Sequence, residues 1–311
     1  MPYPPAYMGY IGFVKIADRG LRATSCELKL TQAIEKPEVV SSKFDYTVYK
    51  LGPKEVGGTI GFPAVLETGG AASTYLIPFL WGRAITRTQE GYLVPFVSQV
   101  KYTSDNAGFT FNNCVINTLR FTVAHGELVN MEIDVIGTDR EQFINSHSTF
   151  LTFAQRNARA VTWNDVILVV QASVGGSMNG TWIRNFECNV NNNVERFYTM
   201  NRKLAPQDIA PKLREITGTM TVMGRNTVVA ELALANENRC YETSNIVFGY
   251  NIFGICNTNW GVRLEGCVFE IEQMSLRNDL MESTINWHCL PGGDSTEDFV
   301  VSNIGIYDYK V

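Results

Sequence analysis

A mainly β fold of antiparallel sheets, built twice in tandem, is what this sequence predicts, and three observations carry it. Apolar and polar residues alternate with period two through short segments bounded by Gly, Pro and Asn, the pattern of half-buried antiparallel strands. Cysteine opens such a segment four times, at Cys26, Cys114, Cys188 and Cys267, and each has a return strand downstream, at 59–62, 131–137, 216–224 and 282–289. The connections run long, short, long, short, the order expected when a unit of two hairpins has been duplicated. The 311 residues then divide into two modules of ordinary domain size, 1–150 and 151–311.

The first 22 residues are rich in Pro, Tyr and Gly and read as an ordered arm outside the core. Residues 23–30 form the first strand, with Cys26, Leu28 and Leu30 on one face and Glu27 and Lys29 on the other. A long loop over 31–56 leads to Gly57-Gly58 and the return strand 59–62. Residues 71–83 read as an apolar helical piece that Pro78 must bend or shorten. Strand 109–123, a turn at His125-Gly126 and return strand 130–137 make the clearest hairpin in the chain. A polar stretch over 138–159, with a short helix in it, links the two halves.

The second half opens on a strand at 161–171, followed by 183–190 and a long loop over 191–214 that carries Pro206 and Pro211. The return strand sets Ile216, Gly218, Met220 and Val222 on one face and Thr217, Thr219 and Thr221 on the other. Residues 227–239, rich in Ala, Leu and Glu, are the best helix candidate. Strands at 248–255, 262–271 and 282–289 complete the half. Each module is thus expected to place one short helix between two hairpins, as a β-sandwich or barrel-forming module would require.

Charged residues make up 18% of the chain, below the roughly 25% of ordinary soluble domains, and such a surface suits burial against neighbours. The net charge of -5 excludes a globally basic, nucleic-acid-gripping surface, although transient passage of nucleic acid is compatible with it. The opening residues lack the basic start and apolar core of an export signal. The most hydrophobic run, 166–170, is far too short to span a bilayer. None of the seven cysteines forms a C-x-x-C pair, so they read as reduced core thiols, with a bridge involving Cys240, Cys256 or Cys289 as the minor alternative.

The catalytic inventory is thin. Three histidines are present, His125 in a turn, His147 in the linker and His288 beside Cys289, and adjacent strand residues point to opposite faces. Neither a phosphate cradle, a zinc-protease motif nor a nucleophile elbow occurs. No catalytic residue, cofactor or metal ligand is assigned. The carboxylates are more informative. Glu132 and Asp134 alternate with Met131, Ile133 and Val135, and Glu270 and Glu272 alternate with Phe269 and Ile271. Such a face is either an ordinary solvated sheet or the wall of an aqueous channel. A glycosidase pair is a third reading, and a β-sandwich hydrolase or carbohydrate-binding module is the rival from outside structural proteins.

The segment FNNCVINTLRFTVAHGELVNMEIDVIG resembles the hairpin of bacteriophage tail tube proteins, a strand pair with a small loop ending in Ile-Gly or Val-Gly. The second half resembles them more closely. A strand ends in Asn191 to Asn193, a basic, aromatic and Pro-containing loop covers 195–211, and the return strand reads Ile-Thr-Gly-Thr-Met-Thr-Val over 216–222.

The resemblance implies a virion structural protein, assembled in the host cytoplasm, whose copies close into rings that stack into a hollow tube for DNA. Members with one module per chain form hexamers and members with two form trimers, so the duplication favours a homotrimeric, pseudo-hexameric ring. Tape measure, terminator and baseplate proteins are the implied partners, and a terminator or baseplate ring is the alternative within the class. On this reading Glu27, Glu132, Asp134, Glu270 and Glu272 face the lumen and repel DNA phosphates, while Thr219, Thr221, Thr284 and Asn286 keep the wall wet. The long loops, with Tyr198, Arg202 and Lys203, are expected to contact the adjacent ring.

Overall fold

The computed structural model describes residues 12–16, 19–21, 23–35, 50–67, 70–71, 93, 95–102, 107–144, 159–171, 177–179, 183–200, 204–223, 244–250, 260–276 and 281–289. In chain order the strands of the first half are β1 (Gly12–Ile16), β2 (Arg19–Leu21), β3 (Ser25–Cys26), β4 (Lys29–Glu35), β5 (Lys50–Pro63), β6 (Val65–Glu67), β7 (Gly70–Ala71), β8 (Phe96–Tyr102), β9 (Ala107–Ala124), β10 (Asn130–Gly137) and β11 (Asp139–Ile144). Then come β12 (Arg159–Ala160), β13 (Val166–Gln171), β14 (Ser177–Asn179), β15 (Ile183–Asn191), β16 (Glu195–Phe197), β17 (Asp208–Ala210), β18 (Glu215–Met223), β19 (Ser244–Tyr250), β20 (Trp260–Leu276) and β21 (Met281–Cys289). Every pairing among them is antiparallel. The mainly β, antiparallel class expected from the alternation is what the chain adopts.

All four Cys-led strands pair with the return strands expected for them: β3 with β5, β9 with β10, β15 with β18, and β20 with β21. The backbone register fuses these hairpins into one path, β20-β21-β18-β15-β9-β10-β5-β3, with β9 and β15 joining the halves. Two sets of strands follow the same spatial order. It is β1-β8-β9-β10-β5-β3 in the first half and β13-β19-β20-β21-β18-β15 in the second.

The 18 residues of β9 serve two layers. Its first half lies between β8 and β11, and its second half lies between β10 and β15. The layers close on a core in which Val14, Ile16, Val100 and Phe111 of one meet Val56, Ile60, Phe121 and Ile133 of the other, all buried. The same core runs under the second half through Phe186, Met220, Phe269, Ile285 and Trp287. Buried thiols belong to it. Burial pushes the Cys114 thiol up to about 12 and raises that of Cys188, so both stay protonated packing groups. Cys267 and Cys289 are opposite each other across β20 and β21, with Sγ atoms 2.9 Å apart.

Several expectations are corrected. The N-terminal stretch is no outlying arm: β1 pairs with β8, and Val14 and Ile16 are buried in the core. Both ends of the long loop expected over 31–56 are strand, because β4 runs to Glu35 and β5 begins at Lys50, and 36–49 lie outside the described residues. The polar linker contains no helix over Asp139–Ile144. That segment is an edge strand on β9, where the Arg140 guanidinium lies 4.5 Å over the Phe109 ring. The strand expected at 161–171 starts only at Val166, after a 3-10 turn over Trp163–Asp165. The loop over 191–214 contains the small β16–β17 hairpin. Most of the helix expected over 71–83, and all of the one over 227–239, lie outside the described residues.

Two close backbone approaches pin neighbouring strands, one in each half. A Cβ on Gly58 would come within 2.3 Å of the Glu27 carbonyl oxygen, and one on Gly218 within 2.1 Å of the Glu187 carbonyl oxygen. Trp287 fills the other side of Gly218, with its ring 2.2 Å from the same imagined atom. Gly218→Ala is therefore expected to lower stability by about 3 kcal/mol, by forcing the ladder or the indole aside. Gly126, with φ of 83° and open space around it, is expected to accept Asn almost without cost. Thermal unfolding of the two variants checks the contrast.

Candidate functional site

One face of the long sheet buries an apolar row on every strand, and the other carries polar residues in register. The buried side holds Phe62, Met131, Phe121, Cys188, Gly218, Trp287 and Phe269 directly opposite one another. One residue further along, Asn130, Thr122, Glu187, Thr219, Asn286 and Glu270 form an unbroken polar row across six strands. A parallel row runs through Glu132, Arg120, Asn189, Thr217 and His288, and a third through Asp134, Thr118, Asn191 and Glu215.

Strand alternation therefore brings Glu132, Asp134, Thr219, Thr221, Glu270, Thr284 and Asn286 onto one surface, although they belong to four strands from both halves. Glu27 sits at its edge, where its backbone N–H donates to the Thr59 carbonyl at 2.8 Å. Glu272 falls at a β-bulge, since the β20–β21 register skips it between Ile271 and Gln273. Tyr198, expected at a contact between rings, donates its Oη to the Lys54 carbonyl of its own chain at 3.2 Å and stays 41% exposed. Arg202 and Lys203 lie outside the described residues.

The ion pairs were not legible in the sequence. Arg120 Nε and Nη2 grip both Glu187 carboxylate oxygens at 2.8 and 3.0 Å, across the seam between β9 and β15. Glu187, with Glu132 nearby, raises the Arg120 pKa. Arg184 Nη1 donates to a single Glu282 carboxylate oxygen across the second half. Partner separations of 67 and 98 residues leave no local signal, though the alternation of CVINTLRFTV does place Arg120 in phase with the polar face.

The seam is locked by asparagines. Asn117 is the extra residue in β9, since Asp134 pairs with Thr118 while Val135 pairs with Ile116. Its Nδ2 donates to Asp134 Oδ2 at 3.1 Å, its Oδ1 accepts from the Val194 amide at 2.9 Å, and its carbonyl accepts from Asn192 N at 2.8 Å. Asn192, fully buried, donates Nδ2 to the Ile116 carbonyl and accepts from Arg214 Nε at 2.7 Å. Asn193 adopts a φ of 49°, the left-handed conformation asparagine tolerates, and so turns the chain out of β15. The chain then crosses the first half, where Val194 and Ile209 cover Leu93, Val115 and Ile136. Arg196 Nη2 donates to the Val56 carbonyl at 2.7 Å.

Desolvation raises the Asp134 carboxyl above the ordinary carboxylate range, against the lowering effects of Asn117 and Arg196. A carboxyl raised in the folded state contributes stability at low pH that is lost as pH rises through its folded value. Among the described residues, no group of three His, Cys, Asp or Glu side chains could hold a metal ion, and no helix is long and apolar enough to cross a membrane. What the face offers is a broad hydrated surface on which Arg120 and Arg184 are tied to acids.

Asn192→Ala is expected to cost about 1–3 kcal/mol, because the Ile116 carbonyl and Arg214 would lose buried partners. Arg120→Gln, in an exposed pair, is expected to cost under about 1 kcal/mol. Denaturant titration ranks the two. Asp134→Asn is expected to raise stability at neutral pH, with the gain shrinking to nothing as pH falls below the ordinary carboxylate range. Melting curves across that window check the sign.

A search of curated proteins returned no match. The family described as phage tail tube protein matches residues 7–253, which covers most of the chain and four of the six strands that build the shared face, β20 and β21 lying beyond the matched residues. That family is a structural one, found in the virion tail, and its members assemble with other tail proteins. By this match, and by the all-antiparallel sheet that the matched residues form, the chain belongs to the phage tail tube protein family.

Proposed function

We propose that three copies of this chain close head to tail into a ring, and that rings stack into the hollow tube that conducts DNA to the host. The observation that carries this reading is the recurrence of one strand order in both halves. It supports a duplicated module, with a boundary near residue 150, in which β15 of the second copy joins β9 of the first. The same joint is left unused at the two ends of the path. Among the described residues, β3 and β4 pair only with β5, and the second half of β20 pairs only with β21. An open edge of this kind is a template for another strand, and a head-to-tail joint that closes on itself gives a ring.

The polar face supports the choice of lumen. Acids outnumber bases across its rows, and Arg120 and Arg184 are neutralised by Glu187 and Glu282. A wall of threonine, asparagine and carboxylate attracts no counterion-releasing grip on phosphates, the opposite of a DNA-binding surface. Terminal tail rings, such as a terminator or baseplate ring, are separated from this reading by assembly state. Tape measure, terminator and baseplate proteins would meet the tube at its inside and its ends. Negative-stain microscopy of the purified chain is expected to show long tubes; closed single rings would favour a terminal component, and isolated monomers would reject both.

Glu132→Lys combined with Thr219→Lys places cations in the middle of the wall and away from its edges. Virions carrying both changes are expected to assemble tails of normal length but deliver DNA at least tenfold less efficiently. Infection at the wild-type level would remove the lumen assignment and leave the tube itself standing.

A further inference from the structure

Resting on the ring just described, we infer the register of the joint between neighbouring chains: residues 26–30 of one copy pair antiparallel with β20 of the next, with Cys26 opposite Leu276, Leu28 opposite Met274 and Leu30 opposite Ile271. The in-chain joint supplies the template, and two landmarks transpose it. Gly58 under Glu27 and Gly218 under Glu187 make the same close backbone approach, so they occupy equivalent places. Across the next strand, Gly58 faces Val135 and Gly218 faces Trp287. Val135 faces Ile116, and Trp287 faces Phe269.

Each long strand then accommodates one extra residue, Asn117 in β9 and Glu272 in β20. Past both bulges, Glu132 faces Arg120 and its equivalent Thr284 faces Gln273. Phe121 therefore corresponds to Met274, Thr122 to Ser275 and Val123 to Leu276. In the in-chain joint, Phe186 faces Val123, Glu187 faces Thr122, Cys188 faces Phe121, Asn189 faces Arg120 and Val190 faces Leu119. Carried over, these pairs become Cys26 with Leu276, Glu27 with Ser275, Leu28 with Met274, Lys29 with Gln273 and Leu30 with Ile271.

The transposed ladder is chemically consistent at every step, although composition played no part in setting it. Apolar residue types meet apolar ones at three alternate positions, and polar types meet polar ones between them. Lys29 arrives beside Glu270 and Glu272, which places the cation on the entering strand and the acids on β20. In the in-chain joint the polarity is reversed, with Glu187 on the entering strand and Arg120 on the receiving one. A shift of one residue would set Leu28 against Gln273 or Ser275 and turn every pair to the wrong face.

The native Cys26 makes the register directly readable. Leu276→Cys, assembled into tubes and oxidised with diamide, is expected to give reducible cross-linked ladders of up to three chains, with the Cys26–residue 276 disulfide identified by mass spectrometry. The bands are expected to vanish in the Cys26→Ser background and to be at least tenfold weaker for Gln273→Cys. Where Leu276→Cys disturbs assembly, Glu27→Cys with Ser275→Cys in the Cys26→Ser background reads the same register from the polar face. Tubes seen by microscopy without either cross-link, or with Cys26 trapping position 273 instead, would overturn the register while leaving the ring intact. A chain that forms neither rings nor tubes would overturn both.

Discussion

Backbone hydrogen bonding along β9 is the constraint on which the rest of the structure depends. A buried strand must pair its N–H and C=O groups on both sides, and β9 does so with four different partners. The change of partners falls between Asn112 and Thr118: β11 ends opposite Asn112, β8 opposite Cys114, β10 takes over from Val115, and β15 from Thr118, just past the bulge at Asn117. A bulge increases local twist and bends the strand, which lets one strand leave the layer of β8 and β11 and enter that of β10 and β15. Asparagine suits the place because its amide supplies a donor and an acceptor to Asp134 and Val194 at the point where the ladder is interrupted. The joint between the halves begins at the next residue, Thr118, opposite Asn191.

The joint is held by the ladder and the apolar row rather than by its charges. Arg120 and Glu187 are bidentate, but with Arg120 54% exposed on its side chain, water and salt screen most of their attraction. By contrast Phe121, Cys188 and Trp287 are almost wholly buried, and burial of an aromatic or aliphatic side chain contributes about 1.5–3 kcal/mol. The ion pair's role is geometric: it fixes which residue of β15 lies beside which residue of β9 and uses up a cation that would otherwise project from the polar face.

Local alternation made some of this legible. β10 was readable to its ends because strict alternation, a turn at His125-Gly126 and a closing glycine all agree. β1 was not, because Val14 and Ile16 are a single in-phase pair within a stretch rich in Pro, Tyr and Gly, and their burial depends on β8, more than eighty residues away. β11 was hidden for a different reason. DREQFI has the composition of a loop, and its strand conformation is imposed by the open side of β9. The three-residue strands β16 and β17 are shorter than any period can register. Alternation placed Glu132, Asp134, Thr219, Thr221, Glu270, Thr284 and Asn286 on one sheet face, yet the ion pairs of the arginines there stayed invisible because their partners come from strands distant in sequence.

The recurrence of one strand order in both halves has a consequence for the proposed ring. On that proposal the internal joint serves as the template for the external one, with different side chains. Among the described residues, the second half of β20 pairs only with β21, while its first half is occupied by β19 as the first half of β9 is by β8. The length of any added ladder is thereby limited to what β15 already uses on β9. Reversing the charges between the two joints separates them further: a strand carrying Lys29 meets acids on β20 but would meet Arg120 on β9. Like charges set opposite each other destabilise a strand pair, so in the proposed ring Lys29 favours the open edge of β20, while Glu27 keeps the place that Glu187 holds at the internal joint.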